Sequence, residues 1–243
     1  MTMLELKSVS KSYRNRKACD QISLRFAQGK TVGIFGANGA GKSTCFHMIT
    51  GLIKPDSGKI TISDQDISYL PLHQRASFGL SFLPQDKSIF QGMTVEQNLM
   101  SILELSGKNR SECRKRLEVL IDQFSLSKVR FTLGNLLSGG ERRRTEIARA
   151  MANKPKFLLL DEPFSGVDPI SIQEIKTLLK TVQSVEGIGV VITDHNVVAT
   201  LPLCDYAYIV HLGKVIAEGS PEEIAANPLA REYYLGDTLS SPH

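Results

Sequence analysis

An α/β fold is predicted for the 243 residues of this chain by three features of their order. A short apolar run, Thr31–Phe35, passes through a glycine-rich turn into apolar residues at helical spacing. A second run, 157–160, is followed by helical spacing and then by a third run, 190–193, while residues 88–152 between the first and second have helical texture. Alternation of strands and helices is the pattern of a sheet covered on its faces by helices, here with a helical insertion.

The elements follow in chain order. Residues 4–30 read as strands that open the domain and carry Tyr13. Thr31–Phe35 reads as a short buried strand, and the helix after it, 43–51, carries Phe46, Ile49 and Leu52 on one face. Residues 58–63 alternate as a strand bounded by turn residues. Thr94-Val95-Glu96-Gln97 reads as a helix start that continues over 98–105, and Ser111-x-x-Arg114 opens another with Leu117, Leu120, Ile121 and Phe124 inward. Ser138-x-x-Glu141 is a capping box for a helix through Ile147, Ala148 and Met151. Beyond the strand at 157–160 come a helix over 170–185, the strand at 190–193, and a hairpin of 206–210 with 214–217 about Leu212-Gly213. Ser220-Pro221-Glu222-Glu223 starts a last helix with a capping serine and proline in its first turn.

Chemistry is concentrated at three places. Gly36-Ala37-Asn38-Gly39-Ala40-Gly41-Lys42-Ser43-Thr44 fits G-x-x-x-x-G-K-[ST] between a strand and a helix. That geometry aims backbone N–H groups and the positive end of a helix dipole at phosphate, with Lys42 reaching the β/γ-phosphates and the Ser43 hydroxyl ligating Mg²⁺. Asp161-Glu162-Pro163 follows the second buried strand, at the carboxyl edge where ligands of open α/β sheets bind. Asp161 suits the oxygen shell of Mg²⁺, and Glu162 suits a base that polarises the attacking water. The third place is Ser138-Gly139-Gly140-Glu141. Two glycines in a first helical turn cost stability, and close approach of backbone to an anion explains them better than capping alone. The two glycine stretches serve one nucleotide only if two copies of the chain meet.

These motifs, in this order and over nearly the whole chain, resemble the nucleotide-binding subunits of ATP-binding-cassette (ABC) transporters. The resemblance implies a single nucleotide-binding domain over 1–243. Its ABC-type phosphate-loop core would hold a mixed sheet and an N-terminal antiparallel β subdomain, with 88–152 as an inserted helical subdomain. It implies ATP and Mg²⁺ as cofactors and a homodimer formed on ATP binding. In it Tyr13 stacks on adenine and Gln85 is the glutamine of the loop that helps hold Mg²⁺. Asp168, in Ser165-Gly166-Val167-Asp168, lies on the loop crossing the dimer interface, and His195 is the switch histidine. His195 also follows the apolar Val190-Val191-Ile192, so it projects from the same sheet edge as Asp161. The run Glu141-Arg142-Arg143-Arg144, Asp161-Glu162-Pro163-Phe164, Asp168-Pro169-Ile170-Ser171 and Tyr234-Leu235-Gly236 resemble the subfamily that powers lipopolysaccharide export. That implies a membrane permease pair like LptF and LptG with an LptC-like component, and extraction of the lipid from the inner membrane. The alternative is the ATPase of branched-chain amino-acid importers, which shares several of these features. Gln91, where some relatives carry a basic residue, and the tail 237–243 depart from the export pattern.

Composition fits a cytosolic subunit rather than a transporter in itself, and the resemblance implies a peripheral place on the cytoplasmic face of the inner membrane. With 42% hydrophobic residues the chain can bury a full core, yet it has no apolar run of bilayer length and no signal-peptide pattern at its start. Cys19, Cys45, Cys113 and Cys204 are scattered without metal or redox spacing and read as reduced, buried thiols. The net charge of +4 is mild, and Arg142-Arg143-Arg144 reads as a solvated, salt-bridging helix face. No nucleic-acid partner is expected, because ABC-type ATPases of DNA or ribosomes carry a long coiled-coil insertion or two cassettes. Phe90, where the helical stretch begins, is either a core residue or the aromatic lining of a groove for a partner's helix.

Overall fold

The computed structural model describes residues 2–14 and 16–235; Gly236 and the tail 237–243 lie outside them. Strands β1 (Met3–Tyr13) and β2 (Arg16–Ala27) lead into β3 (Thr31–Phe35), which delivers the chain to helix α1 (Lys42–Thr50). Then come β4 (Ser57–Ile62), β5 (Gln65–Asp66), α2 (Leu72–Ser77) and β6 (Leu80–Leu83). Three helices follow, α3 (Val95–Glu104), α4 (Arg110–Gln123) and α5 (Gly139–Ala150). The chain returns through β7 (Phe157–Asp161), α6 (Pro169–Glu186), β8 (Gly189–Asp194) and α7 (Val197–Thr200) to β9 (Tyr206–His211), β10 (Lys214–Gly219) and α8 (Pro221–Ala226).

Two sheets carry the molecule. One is antiparallel, ordered β2-β1-β4-β5; the other is mixed, ordered β10-β9-β3-β8-β7-β6, parallel except for the β9–β10 hairpin. The α/β core with a mixed sheet, an N-terminal antiparallel sheet and inserted helices agrees with the expected class. Every residue of β3, β7 and β8 is buried, as strands covered on both faces require. Register aligns their ends: Phe35 pairs with Asp194, and Asp161 with Thr193. The loops leaving β3, β7 and β8 therefore open at one edge.

One core packs β7 and β8 against α3–α6 through Leu158, Leu160, Val190, Ile192, Leu117 and Ile175, among others. A second packs the antiparallel sheet and α1 on the other face. The hairpin turns at Leu212 and Gly213, with φ of 46° and 77°, as a tight turn with two positive φ values requires.

The structure also departs from the sequence reading. Leu52 lies past the end of α1 and is exposed, because Gly51 at φ 82° terminates the helix. Helix α4 is capped by Asn109 in a box with Glu112, two residues earlier than Ser111 suggested. Segments β5, α2 and β6 are too short to show a period. Within α2, Arg75 is fully buried and its guanidinium donates to the carbonyls of Leu70, Met48, Ile49 and Ser68. It thereby satisfies orphan carbonyls at the negative end of α1, and burial lowers its pKa to about 10.

Candidate active site at the sheet edge

The turn from β3 into α1 is shaped by glycine. Gly36 has φ 154°, Gly39 φ 79° and Gly41 φ 116°. A Cβ at Gly36 would run into the carbonyl oxygen of Val210, and one at Gly41 into that of Ala18. Only glycine lets this loop close against β9 and β2. The Lys42 ammonium folds over the loop and donates to the carbonyls of Gly36 at 2.7 Å and Ala37 at 3.0 Å. Burial lowers its pKa, while Glu162, Asp161 and Asp194 oppose that shift by favouring the cation.

A cavity of about 350 Å³ lies over the loop. Tyr13, Asn38, Gly39, Gly41, Lys42, Ser43, Thr44 and Glu162 line it, eight residues the sequence singled out, together with Arg16 and Ala18. Gly36 and Ala40 are buried beneath it. Arg16 was not foreseen. It donates to the carbonyl of Gly39 at 2.7 Å, so the start of β2 buttresses the loop and adds a cation to the cavity wall. The only trace of it in the sequence is a basic run just after Tyr13.

The carboxylates stand at the neighbouring strand ends. Asp161 is buried and accepts from the Thr193 hydroxyl. Glu162 has φ 42°, a left-handed backbone unusual for its type, held by bonds from its N–H to the carbonyl of Thr193 at 3.1 Å and the Thr193 hydroxyl at 3.2 Å. Gln85 Nε2 donates to the Glu162 carboxylate at 2.8 Å, and His195 Nδ1 lies 3.5 Å from the same oxygen. The structure thus brings Gln85, Glu162 and His195 together beside the phosphate loop. Ser43 hydroxyl, Asp161 carboxylate and Gln85 amide oxygen, the groups expected to hold Mg²⁺, are all oxygen donors, the chemistry Mg²⁺ takes.

The second glycine stretch, which the resemblance makes the signature that meets the nucleotide of the opposite copy, is not brought to this cavity: none of Ser138, Gly139, Gly140 or Glu141 lines it. Ser138 caps α5, accepting from the N–H of Glu141, while its own N–H and hydroxyl donate to the Glu141 carboxylate at 2.9 and 2.7 Å. Those bonds hold the Glu141 carboxyl below the usual range, the Ser138 hydroxyl contributing most. A Cβ at Gly140 would collide with the Ser171 side chain at the start of α6. That glycine is therefore required inside the chain, a cause the anion argument had missed. Gly139 meets nothing closer than 3.4 Å and carries no such requirement. Asp168 is exposed and caps α6, accepting from Ser171 N–H at 3.0 Å.

Two further readings are decided by burial. Phe90 is 48% exposed, with Arg149 stacked over its ring at 4.7 Å, so it is not a core residue. The arginine triplet is not a solvated face: Arg143 is buried, donating to the carbonyls of Pro163 and Pro84 and to Glu146, while Arg144 pairs with Glu174. No helix among the described residues is long and apolar enough to cross a membrane.

Residues 19–165 match the family model described as ABC transporter, and residues 214–239 match that of the branched-chain amino acid ATP-binding cassette transporter. The chain is 48% identical over 235 residues to the lipopolysaccharide export system ATP-binding protein LptB of Acidithiobacillus ferridurans, covering 97% of each. It is 47% identical to the protein of that name from Escherichia coli K12, covering 98% of each. Among solved structures, an ATP-binding cassette of an ABC transporter in its ADP conformation superposes with a TM-score of 0.86 at 28% identity, over 97% of this chain and 99% of that one. A dimeric bacterial ABC transporter cassette does so with a TM-score of 0.79 at 27% identity, over 90% of this chain and 98% of that one. With a phosphate loop, a strained carboxylate and a histidine on one sheet edge, and with these relatives, the chain belongs to the ATP-binding proteins of ABC transporters and is an ATPase.

Proposed function

We propose that this ATPase powers lipopolysaccharide export, as two copies of the chain beneath a membrane permease pair. The observation that carries the substrate is identity of 48% to an LptB along 97% of both chains. The paired arrangement is supported by the absence of the signature residues from the phosphate cavity and by the likeness to a dimeric cassette.

In this reading ATP lies between the phosphate loop of one copy and the Ser138-Gly139-Gly140-Glu141 helix start of the other. Gly36 to Thr44 present backbone N–H groups to the phosphates, Lys42 turns from its own loop carbonyls to the β/γ-phosphates, and Tyr13 stacks on the base. Ser43, Asp161 and Gln85 would hold Mg²⁺, which would supply positive charge against that of the phosphates. Glu162 takes the proton of the attacking water, His195 hydrogen-bonds at the reacting end, and Asp168 lies where the two copies meet. Residues 88–152 form the helical subdomain, with Phe90 in the groove that receives a cytoplasmic helix of the permease. Binding energy closes the pair and hydrolysis opens it, with the protein on the cytoplasmic face of the inner membrane.

A second reading, the ATPase of a branched-chain amino-acid importer, is favoured by the match over residues 214–239. Depletion of the protein from the cells that make it separates the two. Export predicts newly made lipopolysaccharide retained in the inner membrane, and recovery of the chain from detergent extracts with an LptF- and LptG-like pair and an LptC-like protein. Normal lipopolysaccharide at the cell surface together with lost uptake of branched-chain amino acids would overturn export in favour of import.

A further inference from the structure

Helix α5 runs from the signature serine, and one of its faces is charged yet buried. Arg143 and Glu146 are 6% and 3% exposed. Arg143 Nε donates to the carbonyl of Pro163 at 2.9 Å, the residue next to Glu162. Its Nη1 donates to the carbonyl of Pro84 at 3.3 Å, the residue before Gln85, and to Glu146 at 3.0 Å. The other Glu146 oxygen accepts from the N–H of Ser88 at 3.0 Å, and Arg149 donates to the Ser88 carbonyl while stacking on Phe90. Burying such groups is costly, the more so because Arg143 Nη2 and Arg149 Nε are buried without a partner among the described residues, so their retention on one stripe calls for a reason. Burial lowers the pKa of Arg143, and Glu146 and Asp161 favour its cation against that.

We propose that Arg143 is a positioning residue for hydrolysis, a planar fork that holds the loop carrying Glu162 and the loop carrying Gln85 in fixed relation to the start of the signature helix. The Gln85–Glu162 contact is made between the loops that leave the paired strands β6 and β7, just beyond their last register pair Leu83–Leu160, where the strand ladder no longer holds the chain. Arg143 is the side chain that bonds the backbone of both loops next to those residues. Glu146 and Arg149 carry the same stripe onward to Ser88 and Phe90. A shift of the signature helix is then delivered at once to the base, to its glutamine partner and to the proposed docking aromatic. The assignment rests on Glu162 as the base, which its own variant tests separately.

The test is steady-state hydrolysis by the full-length protein at saturating Mg-ATP, with ATP affinity and melting temperature measured on the same samples. Arg143→Gln is expected to lower kcat by about 10²-fold, the cost of a displacement on the order of 1 Å in a reacting geometry, while the Kd for ATP stays unchanged. Arg143→Lys keeps the charge but offers a point donor instead of a fork, and should recover only part of the rate. Glu146→Gln should lower kcat in the same direction, and the double variant should fall less than the two singles combined. A lowered melting temperature with wild-type kcat per folded molecule, or a rate loss matched by lost ATP affinity, overturns the proposal. If Arg143→Gln does not fold, wild-type kcat in both Arg143→Lys and Glu146→Gln overturns it. Retained turnover in Glu162→Gln would instead remove the base assignment.

Discussion

Glu162 is the residue on which the proposed chemistry turns, and its backbone is unusual. A non-glycine residue at φ 42° is strained by about 1–3 kcal/mol and persists where its surroundings over-determine it, here through two bonds to Thr193. Glu162→Gln keeps shape and backbone but loses the proton acceptor. Turnover at saturating Mg-ATP should fall by about 10²–10⁴-fold with ATP binding retained, and ATP-bound dimers should accumulate on size exclusion. The cysteines make the opposite statement. Cys19 Sγ lies 3.4 Å from Cys45 Sγ beneath the phosphate loop, and both are fully buried. The hydrogen bond shared with Cys19, together with burial, pushes the Cys45 thiol well up, and burial pushes Cys204 up to about 12. Because the thiolate is the nucleophile, neither Cys45 nor Cys204 should be alkylated by iodoacetamide in the native protein near neutral pH, whereas both should label once it is unfolded. Mass spectrometry of peptides from the two conditions checks this.

Among the elements, α5 shows most plainly what one helix can be asked to do. Its capping box holds the Glu141 carboxyl below its ordinary value, so this group stabilises the fold above the unfolded carboxylate range and ceases to do so as pH falls through its folded value. The stability advantage of wild type over Glu141→Gln, measured by urea unfolding, should therefore shrink toward acid. Further along the chain the question is Phe90. Its stacking on Arg149 is worth about 0.5–1 kcal/mol at an exposed site, far from the 3–5 kcal/mol of a truncated core phenylalanine. Phe90→Ala should shift the melting temperature by no more than about 4 °C. It should leave nucleotide binding intact while weakening recovery with the permease pair. A large loss of stability with normal assembly would count against the groove.

Across the whole molecule, what the sequence displayed was local. The phosphate loop, the apolar run before Asp161, the Ser138 capping box and the Leu212-Gly213 turn each declare themselves within a few residues, since their chemistry depends on neighbours in the chain. What it hid was made by contacts distant in sequence. Arg143 looks like surface charge until Pro84 and Pro163 arrive, Arg75 looks like loop until α1 ends beside it, and Gly140 looks like an anion cradle until Ser171 packs on it. The pairing of copies is tested by mixing chains. Lys42→Ala on one and Ser138→Arg on the other leaves one composite site whole, whereas both changes on a single chain damage both sites. Residual ATP binding and closure should be greater in the first arrangement, and equal residues of activity would mean that each chain works alone.

The separation of Ser138 from the cavity over the phosphate loop also has a kinetic consequence. If each site is completed by the second copy, as proposed, a chain in isolation cannot turn over, so hydrolysis by the dilute free subunit should rise with the square of its concentration. Two copies held side by side on a permease pair meet instead at the effective concentration set by their spacing, which for tethered partners is on the order of millimolar. The membrane partner thereby converts a second-order encounter into a first-order one, and idle subunits away from it consume little ATP.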